Sequence, residues 1–218
     1  GNASAYAIRL QSSSDNNTIT NNILNTTGFN SPAMLLFTSS GNTVTNNTIM
    51  TSANQSTGVW LFSSANSNTF TGNAINTSGV SAYGVLSDTS SNNVYDDNVI
   101  QSRYTHGIWL FSSSSNNLTD NVVRSLAVSV QGLALDLQGS SSNEVHNNTF
   151  HGLGAGPTGG IILFSSSNYN NFTNNNLIGT GYYALVLGSV SHNHFEDNVV
   201  NATGNISLWF QSASVANN

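Results

Sequence analysis

The chain has 218 residues, of which only 6% are charged. It contains nine acidic residues, three arginines and no lysine, which gives a net charge of −6. Nucleic-acid binding needs clustered Lys and Arg to neutralise phosphates, and this composition excludes such a cluster. No stretch approaches the ~20 apolar residues of a membrane helix, and the lack of cysteine excludes a disulfide framework.

Along the chain, one eight-residue pattern occurs eight times: Asn, any residue, apolar, two residues, Asn, any residue, apolar. The copies recur every 23 to 27 residues, which is typical of a solenoid. The first Asn of each copy is Asn17, Asn42, Asn68, Asn93, Asn116, Asn143, Asn170 or Asn193. The second is Asn22, Asn47, Asn73, Asn98, Asn121, Asn148, Asn175 or Asn198.

Each repeat opens with an alternating apolar segment, such as residues 58–62 (GVWLF) or 107–111 (GIWLF). A Ser-rich turn follows, then the Asn pattern, then a loop of variable length. Alternation, β-branched and aromatic residues and Ser/Asn/Gly turns indicate short strands, two or three in each repeat. The sequence therefore predicts an all-β, single-stranded parallel β-helix of about nine turns, which forms one domain over residues 1–218.

The invariant Asn residues are expected to form two internal ladders. At a corner of a solenoid, an inward side chain meets the same residue in the turns above and below. Asn carries both a donor and an acceptor, so a stack of Asn side chains satisfies itself and the corner backbone. We therefore interpret all sixteen residues as structural.

Runs such as SSGNTVTNNTI (39–49) and SSSSNNLTDNVV (112–123) resemble the repeats of the NosD-like and pectin-lyase-like families. The resemblance covers residues 5–210 and implies a right-handed parallel β-helix, in a protein of the kind found on prokaryotic surfaces. Lyases, glycosidases, epimerases and surface proteins all use this repeat, so it does not choose among functions.

The opening strands are expected to place large apolar side chains on the outside, because alternate residues of a strand face opposite sides. One outward column reads Arg9, Leu35, Trp60, Leu86, Trp109, Asp136, Ile162, Val186 and Ser207, and the next Gln11, Phe37, Phe62, Asp88, Phe111, Gln138, Phe164, Gly188 and Trp209. We call their large apolar members the aromatic strip: Leu35, Phe37, Trp60, Phe62, Trp109, Phe111, Ile162, Phe164 and Trp209.

Three interpretations of the aromatic strip are open. The chain's own loops, for example 124–134 or 151–160, cover it; or it contacts other protein copies; or it binds sugars, since aromatic rings stack on pyranose faces. Both termini lie close to strand patterns without an evident cap, which favours a fragment of a longer chain or a subunit that stacks on its neighbours.

Catalytic patterns are sparse. Asp97 and Asp120 occupy the same corner in adjacent turns and are candidates for a proton-sharing pair or a calcium site, with Asp96, Arg103 and His106 in the same turn as Asp97. Asn fills this corner in most other turns, so simple Asn-to-Asp replacement explains the pair equally. Asp96-Asp97 resembles a polygalacturonase motif, but the other motifs of that family are not recognisable.

Two further sets of residues are candidates for chemistry. His192, His194 and Glu196 alternate along a predicted strand and are candidate metal ligands. Asn25, Asn54, Asn76 and Asn201 begin Asn-x-Ser/Thr sequons and are candidate glycosylation sites, although so Asn-rich a chain produces sequons by chance.

The composition and the aromatic strip favour an extracellular or cell-surface protein that is structural or adhesive and forms a filament, sheath or surface layer from copies of itself. This hypothesis needs no catalysis and no cofactor. The alternative is a carbohydrate-binding or carbohydrate-processing β-helix of the lyase or hydrolase kind, with a surface polysaccharide as partner. Neither hypothesis involves nucleic acid or a membrane span.

Overall fold

The computed structural model describes residues 5–126, 132–153, 159–204 and 206–211, and it is a right-handed parallel β-helix. Three parallel sheets run along the solenoid, and each turn contributes one strand to each sheet. Eight turns carry all three strands, and a ninth strand ends the first sheet. The described residues contain no helix, and so none that is long and apolar enough to cross a membrane.

The strands are short, as the sequence predicts. The first sheet contains β1 (Ile8–Gln11), β4 (Met34–Phe37), β7 (Val59–Phe62), β10 (Val85–Asp88), β13 (Ile108–Phe111), β16 (Leu135–Gln138), β19 (Ile161–Phe164), β22 (Tyr183–Gly188) and β25 (Ile206–Gln211). The second contains β2 (Thr18–Thr20), β5 (Thr43–Thr45), β8 (Thr69–Thr71), β11 (Val94–Asp96), β14 (Asn117–Thr119), β17 (Glu144–His146), β20 (Asn171–Thr173) and β23 (His194–Glu196). The third contains β3 (Ile23–Thr26), β6 (Thr48–Thr51), β9 (Ala74–Thr77), β12 (Val99–Ser102), β15 (Val122–Ser125), β18 (Thr149–Gly152), β21 (Asn176–Gly179) and β24 (Val199–Ala202).

The core fills the inside of the solenoid with stacked columns of apolar side chains. Phe70 lies parallel to Tyr95 with ring centroids 5.4 Å apart, and Phe172 lies on Phe195 at 4.9 Å. The central residue of each Asn pattern points into this core, for example Leu118 and Val145, which are fully buried. Burial of these columns is the main favourable contribution to folding.

Both Asn ladders form as predicted. In the first, the Nδ2 of one Asn donates to the Oδ1 of the Asn one turn further along, for example Asn17 to Asn42 at 3.0 Å and Asn143 to Asn170 at 2.8 Å. Asn93 is the exception among the described residues: its backbone N–H reaches Asn116 Oδ1 at 2.9 Å, but its Nδ2 is buried without a partner. The second ladder is continuous from Asn22 to Asn198, with steps of 2.9 to 3.1 Å. From Asn42 and Asn47 onward, each Oδ1 also accepts a backbone N–H of the preceding turn, so the ladders satisfy the corner backbone.

A third ladder, of serines, was not predicted. The hydroxyls of Ser90, Ser113, Ser140 and Ser167 each accept the backbone N–H of the equivalent residue one turn earlier, at 3.0 to 3.1 Å. All four side chains are buried. The serine ladder could not be recognised in the sequence, because serine is also common at the exposed positions of the same turns.

The corner between the second and third sheets explains Asp97 and Asp120. Both have positive φ, 52° and 57°, in the left-handed region that Asn, Asp and Gly tolerate best. The same corner holds Asn21, Asn46, Gly72, Asn147, Asn174 and Asp197, all with positive φ. The backbone alone therefore accounts for the types of residue at this corner.

Candidate functional site

The outer face of the first sheet has the predicted register through eight turns. The pairs run Arg9–Leu35, Leu35–Trp60 and so on to Ile162–Val186. In the last turn the prediction is wrong, because Val186 pairs with Trp209 and not with Ser207. This shift of two residues keeps Trp209 on the outer face, since side chains alternate with a period of two.

The aromatic strip is less exposed than expected. Leu35 is only 5% exposed, most other members are half-buried, and Phe111 is 40% exposed. Phe37, Trp60 and Phe62 pack on one another, with centroids 5.3 to 5.6 Å apart. Within the two loops that one of the three interpretations places over the strip, residues 127–131 and 154–158 lie outside the described residues.

Residues just before each strand of the first sheet cover part of the strip. We call the residues two places before Val59, Val85, Ile108 and their aligned partners the corner column; it includes Thr57, Tyr83, His106 and, before Leu185, Tyr183. The Tyr83 ring lies 5.1 Å from Trp109 and 5.6 Å from His106, which belong to the next turn. Equivalent stacking joins Tyr183 to Trp209 at 4.5 Å. The corner column therefore forms a wall beside the outward residues.

A cleft of about 250 Å³ lies between this wall and the strip. The apolar part of its lining comes from Trp60, Tyr83 and Leu86, and the polar part from four side chains, Asn30, Gln55, Thr57 and Ser81. Asn30, Gln55 and Ser81 are equivalent residues of successive turns, each held at positive φ. The seven lining residues carry no charge.

Beside the cleft, Tyr83, His106, Trp109, Asp136 and Gln138 form what we call the Tyr83 cluster. His106 Nδ1 accepts the backbone N–H of Leu133 at 3.2 Å, which leaves the ring proton on Nε2. Nε2 lies 3.6 Å from Asp136 Oδ2, too far for a hydrogen bond, while Gln138 donates to the same oxygen at 3.0 Å. The His106 side chain is 14% exposed and that of Asp136 only 3%.

Burial changes the protonation of the Tyr83 cluster. It raises the pKa of the Asp136 carboxyl to about 7, against the opposing hydrogen bond from Gln138, and lowers the pKa of His106 to about 4. Burial, and secondly the charge of Asp136, raise the pKa of Tyr83. His106 is therefore neutral at physiological pH, and Asp136 is the group that titrates there.

Two polar atoms of the Tyr83 cluster, Asp136 Oδ1 and Trp109 Nε1, are buried without a hydrogen-bond partner among the described residues. Each such atom costs about 1–3 kcal/mol of stability. The buried Asp136 carboxyl therefore lowers the stability of the fold and does not stabilise it. Buried groups with strongly shifted pKa values concentrate at functional sites.

The expected catalytic pair, Asp97 and Asp120, lies away from this cluster, and of the residues noted beside that pair His106 joins the cluster. Asp97 and Asp120 lie at the corner between the second and third sheets, where Asp120 accepts a hydrogen bond from Asn147. Arg103 and His106 follow the third sheet, at the next corner.

The candidate metal ligands are only partly brought together. His194 Nε2 lies 3.4 Å from Glu196 Oε2, whereas His192 stacks on Tyr169 with centroids 4.8 Å apart. Among the described residues no group of three or more His, Cys, Asp and Glu side chains is arranged to hold a metal ion. Asn25, Asn54, Asn76 and Asn201 are all exposed.

The cluster was not predicted from the sequence as a site. In the sequence, Asp136 is one member of an outward column, His106 is a residue in the same turn as Asp97, and Tyr83 belongs to no candidate set. One sequence feature points to it: Asp136 is the only acidic residue in the first outward column. Tyr83 and His106 contact each other because they occupy aligned positions of the corner column, which lies just outside the alternating strand pattern used for the prediction.

The family model for a right-handed β-helix region matches residues 1–131 and 125–218. No curated protein sequence matches the chain significantly.

Several solved structures are similar to this fold. The A-module of mannuronan C-5 epimerase AlgE4 from Azotobacter vinelandii superposes with a TM-score of 0.66 at 10% identity, over 89% of this chain and 62% of that one. The periplasmic alginate epimerase AlgG gives 0.60 at 14% identity, over 95% and 47%. An alginate lyase from Paenibacillus gives 0.50 at 13% identity, over 96% and 89%. The chain thus spans about half to three-fifths of the two epimerase structures.

Proposed function

We propose that this chain, which belongs to the right-handed β-helix family, binds a polysaccharide in the cleft lined by Trp60 and Tyr83. The composition of the cleft carries the proposal: an apolar part made by two aromatic rings and Leu86, beside four amide and hydroxyl side chains. A pyranose has C–H groups on its faces and hydroxyls around its edge. Rings and short polar side chains complement both.

The cleft is lined by residues of neighbouring turns, such as Trp60 and Leu86, which also supports a chain-like ligand. Trp60, Leu86 and Trp109 are successive residues of one outward column, about 4.8 Å apart from strand to strand. A linear glycan laid along the solenoid meets one such residue in each turn. The similar structures named above are all named for enzymes of alginate or mannuronan, which supports a glycan ligand at the level of fold alone.

The Tyr83 cluster favours a second function, carbohydrate processing. A carboxyl with a pKa of about 7 is suited to general acid–base catalysis at neutral pH. Tyr83 lines the cleft and touches the proposed ligand, while both ring nitrogens of His106 are directed at other groups, Leu133 and Asp136. We therefore assign proton donation to the glycan to Tyr83, whose raised pKa keeps it protonated at neutral pH. We assign to Asp136 the change of charge near pH 7 that tunes this donor, and to His106 the positioning of both.

The assembly hypothesis receives no support from the similar structures, and the half-buried strip offers less contact area than expected. An extracellular or cell-surface location remains part of the proposal, because polysaccharides accumulate there and one similar structure is named periplasmic.

Binding is tested by replacing the aromatic part of the cleft. Trp60→Ala is expected to weaken the affinity for a bound polysaccharide by about 10-fold or more, because the stacking surface is lost. Isothermal titration calorimetry against a panel of soluble polysaccharides measures the change. Phe164→Ala removes an aromatic ring from the same face outside the cleft and serves as the control. Equal loss in both variants, or no loss in Trp60→Ala, contradicts the proposed site.

Processing is tested separately at Asp136. For any glycan that the protein converts, Asp136→Asn is expected to lower the rate by about 100-fold and to flatten the pH–rate profile near pH 7. Asp88→Asn, on the neighbouring outward column, is the matched control. Product analysis by mass spectrometry and NMR provides the rates. A profile that still bends near pH 7 in Asp136→Asn assigns the titration to another group.

A further inference from the structure

We infer that the ligand of the cleft is a neutral polysaccharide, one without a carboxylate or sulfate on its sugars. This inference rests on the proposed function and defines its substrate class. It separates the chain from the similar epimerases, which are named for mannuronan and alginate, polymers that carry a carboxylate on every sugar.

The lining of the cleft contains no cation. Its polar side chains are two amides and two hydroxyls, from Asn30, Gln55, Thr57 and Ser81, and Tyr83 adds a phenol. These groups both donate and accept hydrogen bonds, which suits sugar hydroxyls. A carboxylate on each sugar would need Arg or Lys in the cleft, because burying an unpaired charge is costly.

The charge nearest to the cleft along the first sheet is negative. Asp88 lies on β10, two residues beyond the cleft residue Leu86, and it is half-buried. Asp136 lies two strands further along the same column, beyond Trp109, and becomes negative as the pH rises through its pKa of about 7. A polyanion in the cleft is repelled by both.

The three arginines of the chain are engaged elsewhere. Arg9 lies two strands from Trp60 in the outward column, with its guanidinium 5.2 Å from the Tyr6 ring. Arg103 lies over Tyr104 at 5.3 Å. Arg124 is on the outer face of the third sheet, where burial and secondly the charge of Arg124 lower the pKa of His151. None of them lines the cleft.

The expected discrimination follows from Coulomb's law. Two like charges about 8 Å apart in water repel by about 0.5 kcal/mol, and more where the protein displaces water. Two or three such repulsions, and the desolvation of an unpaired carboxylate, give a preference for the neutral glycan of about 10-fold or more.

The experiment uses pairs of hexasaccharides that differ only in charge. Hexamers of β-1,4-mannose, β-1,4-glucose and α-1,4-galactose are compared by calorimetry with the corresponding hexauronates, at low and at moderate salt. Neutral hexamers are expected to bind at least about 10-fold more tightly, with little dependence on salt. Tighter binding of a hexauronate overturns the charge inference and leaves polysaccharide binding in place. Binding of neither series overturns the proposed function itself.

A cation placed in the cleft is expected to change the preference. Gln55→Lys adds one positive charge at an exposed position with positive φ, where glutamine and lysine experience the same backbone conformation. This variant is expected to bind the hexauronates about 10-fold more tightly. Gln101→Lys, on the outer face of the third sheet, is the matched control for net charge. An equal gain in both variants places anion attraction outside the cleft and overturns the inference.

Discussion

Replacing Asn121 with alanine is expected to lower the free energy of unfolding by about 4 kcal/mol or more. Asn121 is 1% exposed, its Nδ2 donates to Tyr95 O at 2.8 Å and to Asn148 Oδ1 at 2.9 Å, and its Oδ1 accepts two bonds from Asn98. Alanine removes all four bonds and leaves their partners buried. Urea unfolding, followed by tryptophan fluorescence, measures the loss.

Asn22→Ala is the matched control, because Asn22 begins the same ladder. It is exposed, and its Nδ2 donates to Thr20 O and Asn47 Oδ1, at 3.0 and 3.1 Å. No earlier turn of the described chain donates to its Oδ1, so the expected loss is about 1 kcal/mol. Similar losses in the two variants mean that the ladder stabilises through local turns and not through stacking.

The second large effect is a pH dependence of the free energy of unfolding, which is expected when either His106 or Asp136 of the Tyr83 cluster is replaced. The raised pKa of Asp136 means that the folded state holds a proton that the unfolded state releases, so its contribution to stability is lost as pH rises from about 4 to 7. The lowered pKa of His106 acts in the opposite direction. Its contribution is present above about pH 6.5 and is lost as pH falls towards 4.

In the unmodified chain the two contributions nearly cancel between pH 4 and pH 6.5. His106→Gln is expected to lose stability as pH rises across this range, and Asp136→Asn to gain it, each by about 1 kcal/mol per pH unit relative to the unmodified chain. Unfolding in urea at several pH values gives both slopes. Parallel slopes in the two variants mean that these groups titrate normally in the folded protein.

The fold was predictable because the hydrogen bonds of the Asn ladders use one particular residue type at fixed positions of every turn. A ladder residue such as Asn42 uses its amide as a donor and the next Asn's Oδ1 as the acceptor, so the repeated Asn marks its turn in the sequence. Strand alternation then placed Trp60 and Phe62 on the outer face correctly. The prediction was wrong at Trp209, where the Asn pattern no longer follows the strand and the apolar run of residues 206–210 permits two registers.

The candidate site was not predictable, because its contacts depend on several turns at once. Tyr83 meets Trp109, and His106 meets Asp136, across the boundary between turns. Which residues meet there depends on the path of the loops between the third and first sheets. The pKa of Asp136 is raised by burial. The sequence alone does not give the exposed fraction of a side chain on the outer face, because neighbouring turns determine it.

The spacing of the ladders has a consequence for how this molecule changes over generations. The two ladder residues of a turn are always five residues apart, whereas equivalent residues of successive turns are 23 to 27 apart. Most of the variation in length therefore falls in the loops that lead from the third sheet to the first, beside the cleft and the Tyr83 cluster. Insertions and deletions there leave the stacked amides in place, so selection is free to remodel ligand preference on this edge while the scaffold is inherited unchanged.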